Sequence, residues 1–278
     1  MERELEQEQG TVRVYDEGEG PALLFVHGLL VSHTLWELVV KRLADTHRCV
    51  AIDLPLGAHR KAMRPDADLS PRGLAAMIAG VMEQLDLRDV TLVGNDTGGA
   101  LCQLVVAHHP ERLAGLVLTT CDAYEHFPPP ALKPMLMLPR APRIGDLFLR
   151  LGRFGPVRDA LIAPVNKRRS KERSQAWVEP LSRDAGVRRD VLRFIERIDN
   201  ADTIAAAPAL KSFGRPALVV WTKGDRFFPE ADGRRLADDL SAQFELLDDT
   251  RTFIPLDQPE RLAELIRTFV ADRVAVAA

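Results

Sequence analysis

The amino-acid sequence predicts an α/β protein built on a mostly parallel sheet, and three observations indicate this fold class. Short apolar runs rich in β-branched residues alternate with stretches of helical period, which is typical of a parallel sheet covered by helices. Residues 90–96 form an almost continuous apolar run, as expected for a central strand buried on both faces. The chain has 278 residues, of which 46% are hydrophobic, so it can form one domain that carries an insertion.

The alternation locates seven strands along the chain. They are expected at residues 11–15, 21–28, 50–55, 90–96, 113–121, 216–222 and 243–247. The helix after the third of these should begin behind Ser70, whose hydroxyl can cap it, with Pro71 in its first turn and its end near Leu85. Further helices are expected at residues 98–109, from about 229, and at 259–274.

The alternation breaks between residues 122 and 207, where a cluster of prolines is followed by arginine-rich helical stretches. We expect a helical lid here, inserted into a core formed by residues 1–121 and 208–278. Residues 131–200 hold 16 Lys and Arg against 8 Asp and Glu, a net charge of +8, whereas the remainder holds 21 against 32, a net charge of −11. Either these arginines pair with acids on a solvated surface, or they attract an anionic substrate or partner.

The composition argues against several classes of protein. Cys49, Cys102 and Cys121 lie in apolar runs without disulfide or metal-ligand spacing, which is typical of a cytoplasmic protein. The acidic first ten residues lack a signal-peptide core, and no apolar run is long enough to span a bilayer. The basic residues are scattered, which does not favour nucleic-acid binding. We expect a small-molecule substrate, no cofactor and no metal site, and the sequence does not indicate an oligomeric state.

The stretch LVGNDTGGA, residues 92–100, carries the strongest functional signal. Its GNDTG segment lies between a buried strand and a helix, which is the setting of a nucleophile elbow. Small residues let the turn bend sharply, so that the central side chain projects over the helix N-terminus, where an anion is stabilised. Asp96 is therefore the candidate nucleophile or carboxylate base, and Asn95 is a candidate positioning residue.

Two other segments fit the same site. His27 and Gly28 end an earlier strand, and the backbone N–H of Leu29 would pair with that of Thr97 as an oxyanion hole. We expect His27 and Gly28 to position this loop, with a role for His27 as a base as the alternative. Asp225 lies just past a later strand and could orient a catalytic histidine, although an aspartate in a surface turn is the alternative.

From about residue 11 to residue 274, outside the lid, the chain resembles the α/β-hydrolase superfamily. The resemblance implies an eight-stranded sheet with a helical lid after the sixth strand. An aspartate at the elbow is similar to the haloalkane dehalogenase and epoxide hydrolase branch, whose members form an ester with the substrate and hydrolyse it with a histidine-activated water. The segment FIPLDQPERLAELIRTF, residues 253–269, is also similar to the one that follows the superfamily's catalytic histidine.

The chain departs from that branch in three ways. The similar segment places the usual histidine at about Thr252, and the chain has no histidine after His126. Thr97 stands where dehalogenases generally have a halide-binding tryptophan and Leu29 where many have an asparagine, which disfavours carbon–halogen cleavage. Epoxide hydrolases typically use lid tyrosines, but only Tyr124 lies near the lid.

A substitute for the missing base could come from elsewhere in the fold. His59 and His126 both follow sheet strands, at the edge where α/β sites lie, so either could approach Asp96. A structural role is the alternative for both. Tyr124 and Trp177 are expected to line the substrate pocket under the lid.

Three functions follow from these residues. The first is a hydrolase for a small, partly apolar molecule, with Asp96 as nucleophile or carboxylate base. The second is a lyase, isomerase or cyclase in which Asp96 moves a proton. The third is a ligand-binding protein on a degenerate hydrolase scaffold. Because the elbow is intact, we expect an enzyme of the hydrolase type.

Overall fold

The computed structural model describes residues 1–133 and 142–277, and it contains the eight-stranded, mostly parallel sheet that was predicted. The strands are β1 (Glu2–Gln7), β2 (Gly10–Glu17), β3 (Ala22–Val26), β4 (Arg48–Asp53), β5 (Val90–Asp96), β6 (Leu113–Cys121), β7 (Ala217–Thr222) and β8 (Gln243–Leu247). Their order is β1-β2-β4-β3-β5-β6-β7-β8. The β1–β2 and β2–β4 pairs are antiparallel and the remaining pairs are parallel.

Strand β1 is the strand that the sequence pattern does not locate. Its residues ERELEQ include a single apolar side chain, Leu5, so no alternation of apolar and polar residues marks it. β1 pairs with β2 from Glu2 opposite Tyr15 to Gln7 opposite Gly10. Backbone hydrogen bonds therefore hold this edge strand with little burial of apolar surface.

Helices cover both faces of the sheet. They are α1 (Glu37–Leu43), α2 (Pro71–Gln84), α3 (Thr97–His108), α4 (Pro142–Leu151), α5 (Gly155–Ile162), α6 (Lys171–Arg183), α7 (Ala185–Arg197), α8 (Asn200–Lys211), α9 (Glu230–Leu240), α10 (Ile254–Asp257) and α11 (Pro259–Ala277). Alternate residues of β3 face two separate apolar clusters, because successive side chains of a strand point to opposite faces. Leu24 packs in the cluster that holds residues of α2, α3 and α9, and Leu23 packs in the cluster that holds residues of α1 and α11.

Ser70 begins helix α2 as predicted. Its hydroxyl oxygen accepts a hydrogen bond from the backbone N–H of Gly73 at 3.1 Å, and Pro71 occupies the first turn. A serine at this position satisfies one of the N–H groups that a helix leaves without an internal partner.

The helical insertion follows β6, the sixth strand, and contains helices α4 to α8. Part of the expected proline cluster, at residues 134–141, lies outside the described residues. The boundary expected after residue 207 falls inside α8. Helix α8 packs against α3, and its Ala206 and Leu210 belong to the same apolar cluster as Leu101 of α3. In the described part of the chain, no helix is long and apolar enough to cross a bilayer.

Helix α3 approaches the sheet so closely that its first turn requires glycine. A Cβ atom on Gly98 would lie 2.4 Å from the carbonyl oxygen of Val26, and one on Gly99 would lie 2.3 Å from the Cβ of Cys121. Both distances are far inside the roughly 3.5 Å at which non-bonded carbon atoms attract. The glycines therefore let α3 pack between the ends of β3 and β6, which fixes the turn that carries Asp96.

Replacing Gly98 by alanine should lower the free energy of unfolding by roughly 1–3 kcal/mol, because the added methyl overpacks a rigid contact. Gly155→Ala makes the same chemical change at the start of α5, where the new Cβ would meet only Arg158, at 3.7 Å. It should be neutral or slightly stabilising. Equilibrium urea unfolding measures both variants, and equal losses of stability would contradict the close contact of α3 with the sheet.

Candidate active site

Asp96 lies in a sharp turn between a central strand and a helix. It is the last residue of β5 and directly precedes α3, with a φ of 55° and a ψ of −136°. A positive φ is uncommon for a residue with a side chain, and such backbone conformations cost about 1–3 kcal/mol. The strained turn projects the Asp96 side chain from the carboxyl edge of the sheet, over the N-terminus of α3. This is the turn that the GNDTG segment predicts.

The carboxylate of Asp96 is held by two backbone N–H groups. The N–H of Leu29 donates to Oδ2 at 3.1 Å, and the N–H of Thr97 also donates to the carboxylate. These are the two groups expected to form an oxyanion hole. The approach is possible because Gly28 has no side chain, since a Cβ there would lie 2.0 Å from Oδ2.

Burial dominates the electrostatics of Asp96. Desolvation, with a smaller contribution from the charge of Asp225, raises its pKa to about 7, although the N–H groups of Thr97 and Leu29 oppose the rise. Asp96 therefore titrates near neutral pH, where a carboxyl group can both hold and release a proton.

Asp122 is a second buried carboxyl group beside Asp96. It directly follows β6, and the sequence pattern identifies it only as the first residue of the expected lid. The hydroxyl of Thr97 donates to its Oδ2 at 3.2 Å, and its Oδ1 has no hydrogen-bond partner among the described residues. Desolvation and then the charge of Asp96 raise the pKa of Asp122 well above the usual value. Its place after a parallel strand, at the same edge as Asp96, is the signal that could have identified it.

Both carboxyl groups line a small apolar pocket with a volume of about 160 Å³. Asp96, Thr97 and Asp122 are the only polar residues among the described residues that line it. Ala160 and Ile162 of α5 contribute to the pocket from the insertion. The remaining walls are aliphatic and aromatic, including Leu29, Phe127, Val165, Ile198 and Phe253. An apolar cavity of roughly 150 Å³ accommodates a molecule the size of benzene, so this pocket suits a substrate of about one ring.

His27 is buried and held as a neutral imidazole. Its Nε2 accepts a hydrogen bond from the N–H of Leu54 at 3.0 Å, so its Nδ1 carries the proton and donates to the carbonyl oxygen of Gly28 at 2.8 Å. Desolvation lowers the pKa of His27 to about 4. The ring thus ties the loop after β3 to the end of β4, an arrangement that suits positioning and not proton abstraction.

Asp225 and Thr252 are joined by a hydrogen bond on the loops that follow β7 and β8. The N–H groups of Phe227 and Phe228 donate to Asp225 Oδ1 at 2.8 and 3.1 Å, and the hydroxyl of Thr252 donates to Oδ2 at 2.9 Å. Burial raises the pKa of Asp225, and these three donors oppose the rise. Asn95 donates its side-chain amide to the carbonyl oxygen of Thr252 at 2.8 Å, which joins the elbow to this loop.

The two histidines considered as substitute bases do not line the pocket. His59 is buried against α7, where its Nε2 lies 3.3 Å from Asp190 Oδ2 and its Nδ1 accepts from the N–H of Gly57. His126 pairs with Asp232 of α9, with 2.5 Å between Nδ1 and Oδ2. Each ring binds an aspartate more than 100 positions away in sequence. The structure therefore does not bring either imidazole to the elbow.

Tyr124 and Trp177, expected in the pocket, are also absent from its described lining. The Tyr124 ring is buried in the core below α9, and its hydroxyl donates to Asp239 Oδ2 at 2.9 Å. The Trp177 indole donates to the hydroxyl of Thr34 at 2.7 Å and lies edge-on to Phe253, with 6.1 Å between ring centroids. Trp177 thus packs against Phe253, which lines the pocket.

Several basic residues of the insertion pair with acids, and none of the described ones lines the pocket. Arg188 binds Asp146 within the insertion, and Arg173 lies 3.6 Å from Glu37 of α1. No lysine or arginine is among the described residues of the pocket wall. This favours the solvated-surface interpretation of the charge asymmetry. In the ranges that the structure describes, no group of three or more His, Cys, Asp or Glu side chains is placed to hold a metal ion.

Comparison with known proteins agrees with this architecture. The model of a family described as having the alpha/beta hydrolase fold matches residues 21–259, and the chain belongs to this family. It is 25% identical over 252 residues to the uncharacterized hydrolase YugF of Bacillus subtilis (strain 168), covering 89% of both chains. It is 27% identical over 231 residues to a haloalkane dehalogenase of Mesorhizobium japonicum, covering 81% of this chain and 73% of that protein.

A solved structure shows the same fold. The DbeA-M1 loop variant of haloalkane dehalogenase from Bradyrhizobium elkanii superposes with a TM-score of 0.85 over 100% of this chain and 99% of that chain, at 18% identity. The chain is therefore a member of a hydrolase superfamily with dehalogenase-like neighbours.

Replacing Asp96 by asparagine should stabilise the protein in a pH-dependent way. The folded pKa of Asp96 is about 7 against 3.8 ordinarily, so the folded state binds more protons than the unfolded state between those values. Stability from this group is therefore present at low pH and lost as the pH rises from about 4 to about 7. The gain in Tm from Asp96→Asn should grow over that range, at about 2–4 °C per kcal/mol.

Thermal unfolding at a series of pH values measures this gain. Asp66→Asn is the matched control, because Asp66 is an exposed surface carboxylate and its loss should leave the pH dependence unchanged. A gain in Tm for Asp96→Asn that is the same at pH 5 and pH 8 would show that Asp96 is not desolvated as the structure indicates.

Proposed function

We propose that this protein is an enzyme that acts on a small, largely apolar and uncharged molecule, and that the Asp96 carboxylate attacks carbon. The observation that carries the proposal is the position of this carboxylate. It projects from a strained elbow into an apolar pocket, and backbone N–H groups fix its orientation. A buried carboxylate costs stability, and function explains why it is retained.

The two N–H donors suit Asp96 as a nucleophile. With Oδ2 bound to Leu29, Oδ1 is the oxygen that attacks in this proposal, and the product is an ester between Asp96 and the substrate. When water adds to that ester, negative charge develops on Oδ2, the oxygen that the N–H of Leu29 binds, and such a donor acts as in an oxyanion hole. A substrate carbonyl would have to displace the carboxylate from these donors, so the arrangement disfavours attack on ordinary esters.

The names of two relatives also support a hydrolytic enzyme. One is named a haloalkane dehalogenase and another a hydrolase. For this chain we propose the hydrolytic class, and we propose that the insertion acts as a lid, because α5 contributes part of the pocket wall.

Proton transfer without hydrolysis is the second candidate. A pKa of about 7 suits Asp96 as a general base, and no imidazole is among the described pocket residues to activate water. A lyase, isomerase or cyclase would use Asp96 in this way. A purely ligand-binding role is weaker, because an apolar or amide side chain at residue 96 would bind a similar molecule without a buried charge.

Exposure of the full chain to small aromatic epoxides and alkyl bromides should produce a covalent adduct on Asp96, detected by intact-protein mass spectrometry and peptide mapping. Asp96→Asn should abolish the adduct. Gly28→Ala should reduce its rate, because the new Cβ would displace Oδ2 from Leu29.

His59→Ala and His126→Ala serve as controls, and both should form and lose the adduct at the wild-type rate. Turnover of a substrate without any labelling of Asp96 would instead support the proton-transfer candidate.

A further inference from the structure

The carboxyl groups of Asp96 and Asp122 line the same pocket. No lysine, arginine or histidine is among the described residues of its wall. Asp96 ends β5, Asp122 follows β6, and the Thr97 residue between them donates its N–H to one and its hydroxyl to the other. Asp122 is 2% exposed, and its Oδ1 has no hydrogen-bond partner among the described residues. A buried carboxyl oxygen without a donor is most stable when it carries a proton that it can donate.

Two carboxyl groups that line one dry pocket oppose each other's ionisation, so the pair retains one proton near neutral pH. In the described parts of the chain, the other titratable groups that interact with the pair are Asp225, beyond β7, and Cys121, the last residue of β6. Neither supplies positive charge. Because Leu29 and Thr97 stabilise the anion on Asp96, the shared proton resides on Asp122.

We infer that Asp122 supplies the acid and then the base of the reaction, and that the substrate is an epoxide or another strained cyclic ether. This inference rests on the proposed function, in which Asp96 attacks carbon. Asp122 would thus donate the proton that lid tyrosines typically supply in epoxide hydrolases. It would also activate water, which a histidine does in that branch.

The proton balance of the cycle closes. In the first step the Asp96 carboxylate forms a bond to an epoxide carbon, the carbon–oxygen bond of the ring breaks, and Asp122 gives its proton to the departing oxygen. The products are an Asp96 ester that carries a free hydroxyl and an ionised Asp122. Alkylation removes the charge on Asp96, so it no longer opposes ionisation of Asp122.

In the second step Asp122 takes a proton from water, and the hydroxide adds to the carbonyl carbon of the ester. The oxyanion that forms lies on Oδ2, the oxygen bound to the N–H of Leu29. Collapse of this intermediate breaks the bond to the alcohol oxygen, and the acid proton of Asp96 passes to that oxygen. The diol leaves, Asp96 is again ionised and Asp122 is again protonated.

The pocket favours an oxygen leaving group over a halide. A departing alkoxide needs a proton, whereas a halide needs only N–H donors around it. Among the described lining residues, the backbone donors of Leu29 and Thr97 already bind Asp96, and no tryptophan or asparagine side chain lines the pocket. The Tyr124 hydroxyl is committed to Asp239, so Asp122 is the proton donor that the pocket provides. A volume of about 160 Å³ fits an epoxide attached to a single ring.

The test compares two electrophiles of similar size, styrene oxide and benzyl bromide, on the full chain. Rapid quench and intact-protein mass spectrometry measure the rates at which the Asp96 ester forms and decays. In Asp122→Asn, ester formation from styrene oxide should fall by about 10²- to 10⁴-fold, the range typical of general acid–base catalysis. Formation from benzyl bromide should be maintained, and the esters from both reagents should persist. Asp232→Asn, an isosteric change at a buried carboxyl group outside the pocket wall, should match wild type.

The wild-type pH profile tests the same assignment without a variant. Ester formation from styrene oxide should rise and then fall with pH, because it needs an ionised Asp96 and a protonated Asp122. Formation from benzyl bromide should rise to a plateau, because it needs only the ionised Asp96. Equal losses for both reagents in Asp122→Asn, wild-type ester decay in that variant, or identical pH profiles would overturn the role of Asp122. A wild-type protein that neither forms an ester nor turns over either reagent would refute the proposed function itself.

Discussion

The site depends on one contact, the hydrogen bond from the N–H of Leu29 to the carboxylate of Asp96. It joins the loops after two adjacent parallel strands, β3 and β5, and it forms only when three structural conditions are met. Gly28 must lack a side chain, Gly98 must let α3 reach the end of β3, and the backbone of Asp96 must adopt a positive φ. Burial of β3 and β5 on both faces of the sheet stabilises the fold and offsets the cost of that strained backbone.

Asp225, Thr252 and Asn95 form a hydrogen-bonded group beside the elbow. Asp225 keeps its backbone donors and accepts a hydroxyl hydrogen bond from Thr252, and Asn95 fixes that loop through its carbonyl oxygen. Threonine satisfies one carboxylate oxygen of Asp225 but cannot accept a proton near neutral pH. The reactive groups of the site are therefore concentrated on the other side of the elbow, at Asp96 and Asp122.

The insertion determines the polarity of the pocket. Several of its arginines form ion pairs with acids of the insertion and of α1, while Ala160 and Ile162 of α5 line the same pocket as the carboxyl groups. Excluding water in this way raises the pKa of both carboxyl groups, since ionised groups lose hydration in a dry cavity. In the mechanism that we propose, the same exclusion of water prepares one carboxyl group to attack and the other to hold a proton.

The sequence by itself determined seven strands of the sheet and the turn that carries Asp96. These are local or periodic features: buried apolar runs and a glycine-flanked turn. It could not locate β1, whose polar residues are held by backbone hydrogen bonds that no side-chain pattern reports. Only the tertiary structure decided the partners of the polar groups. His59 and His126 are bound by aspartates from distant helices, and Asp122 meets Asp96 because parallel strands bring their carboxyl ends to one edge. The partner of each charged or polar side chain depends on contacts between residues that are far apart in the chain. Packing of the helices and strands against one another sets these contacts.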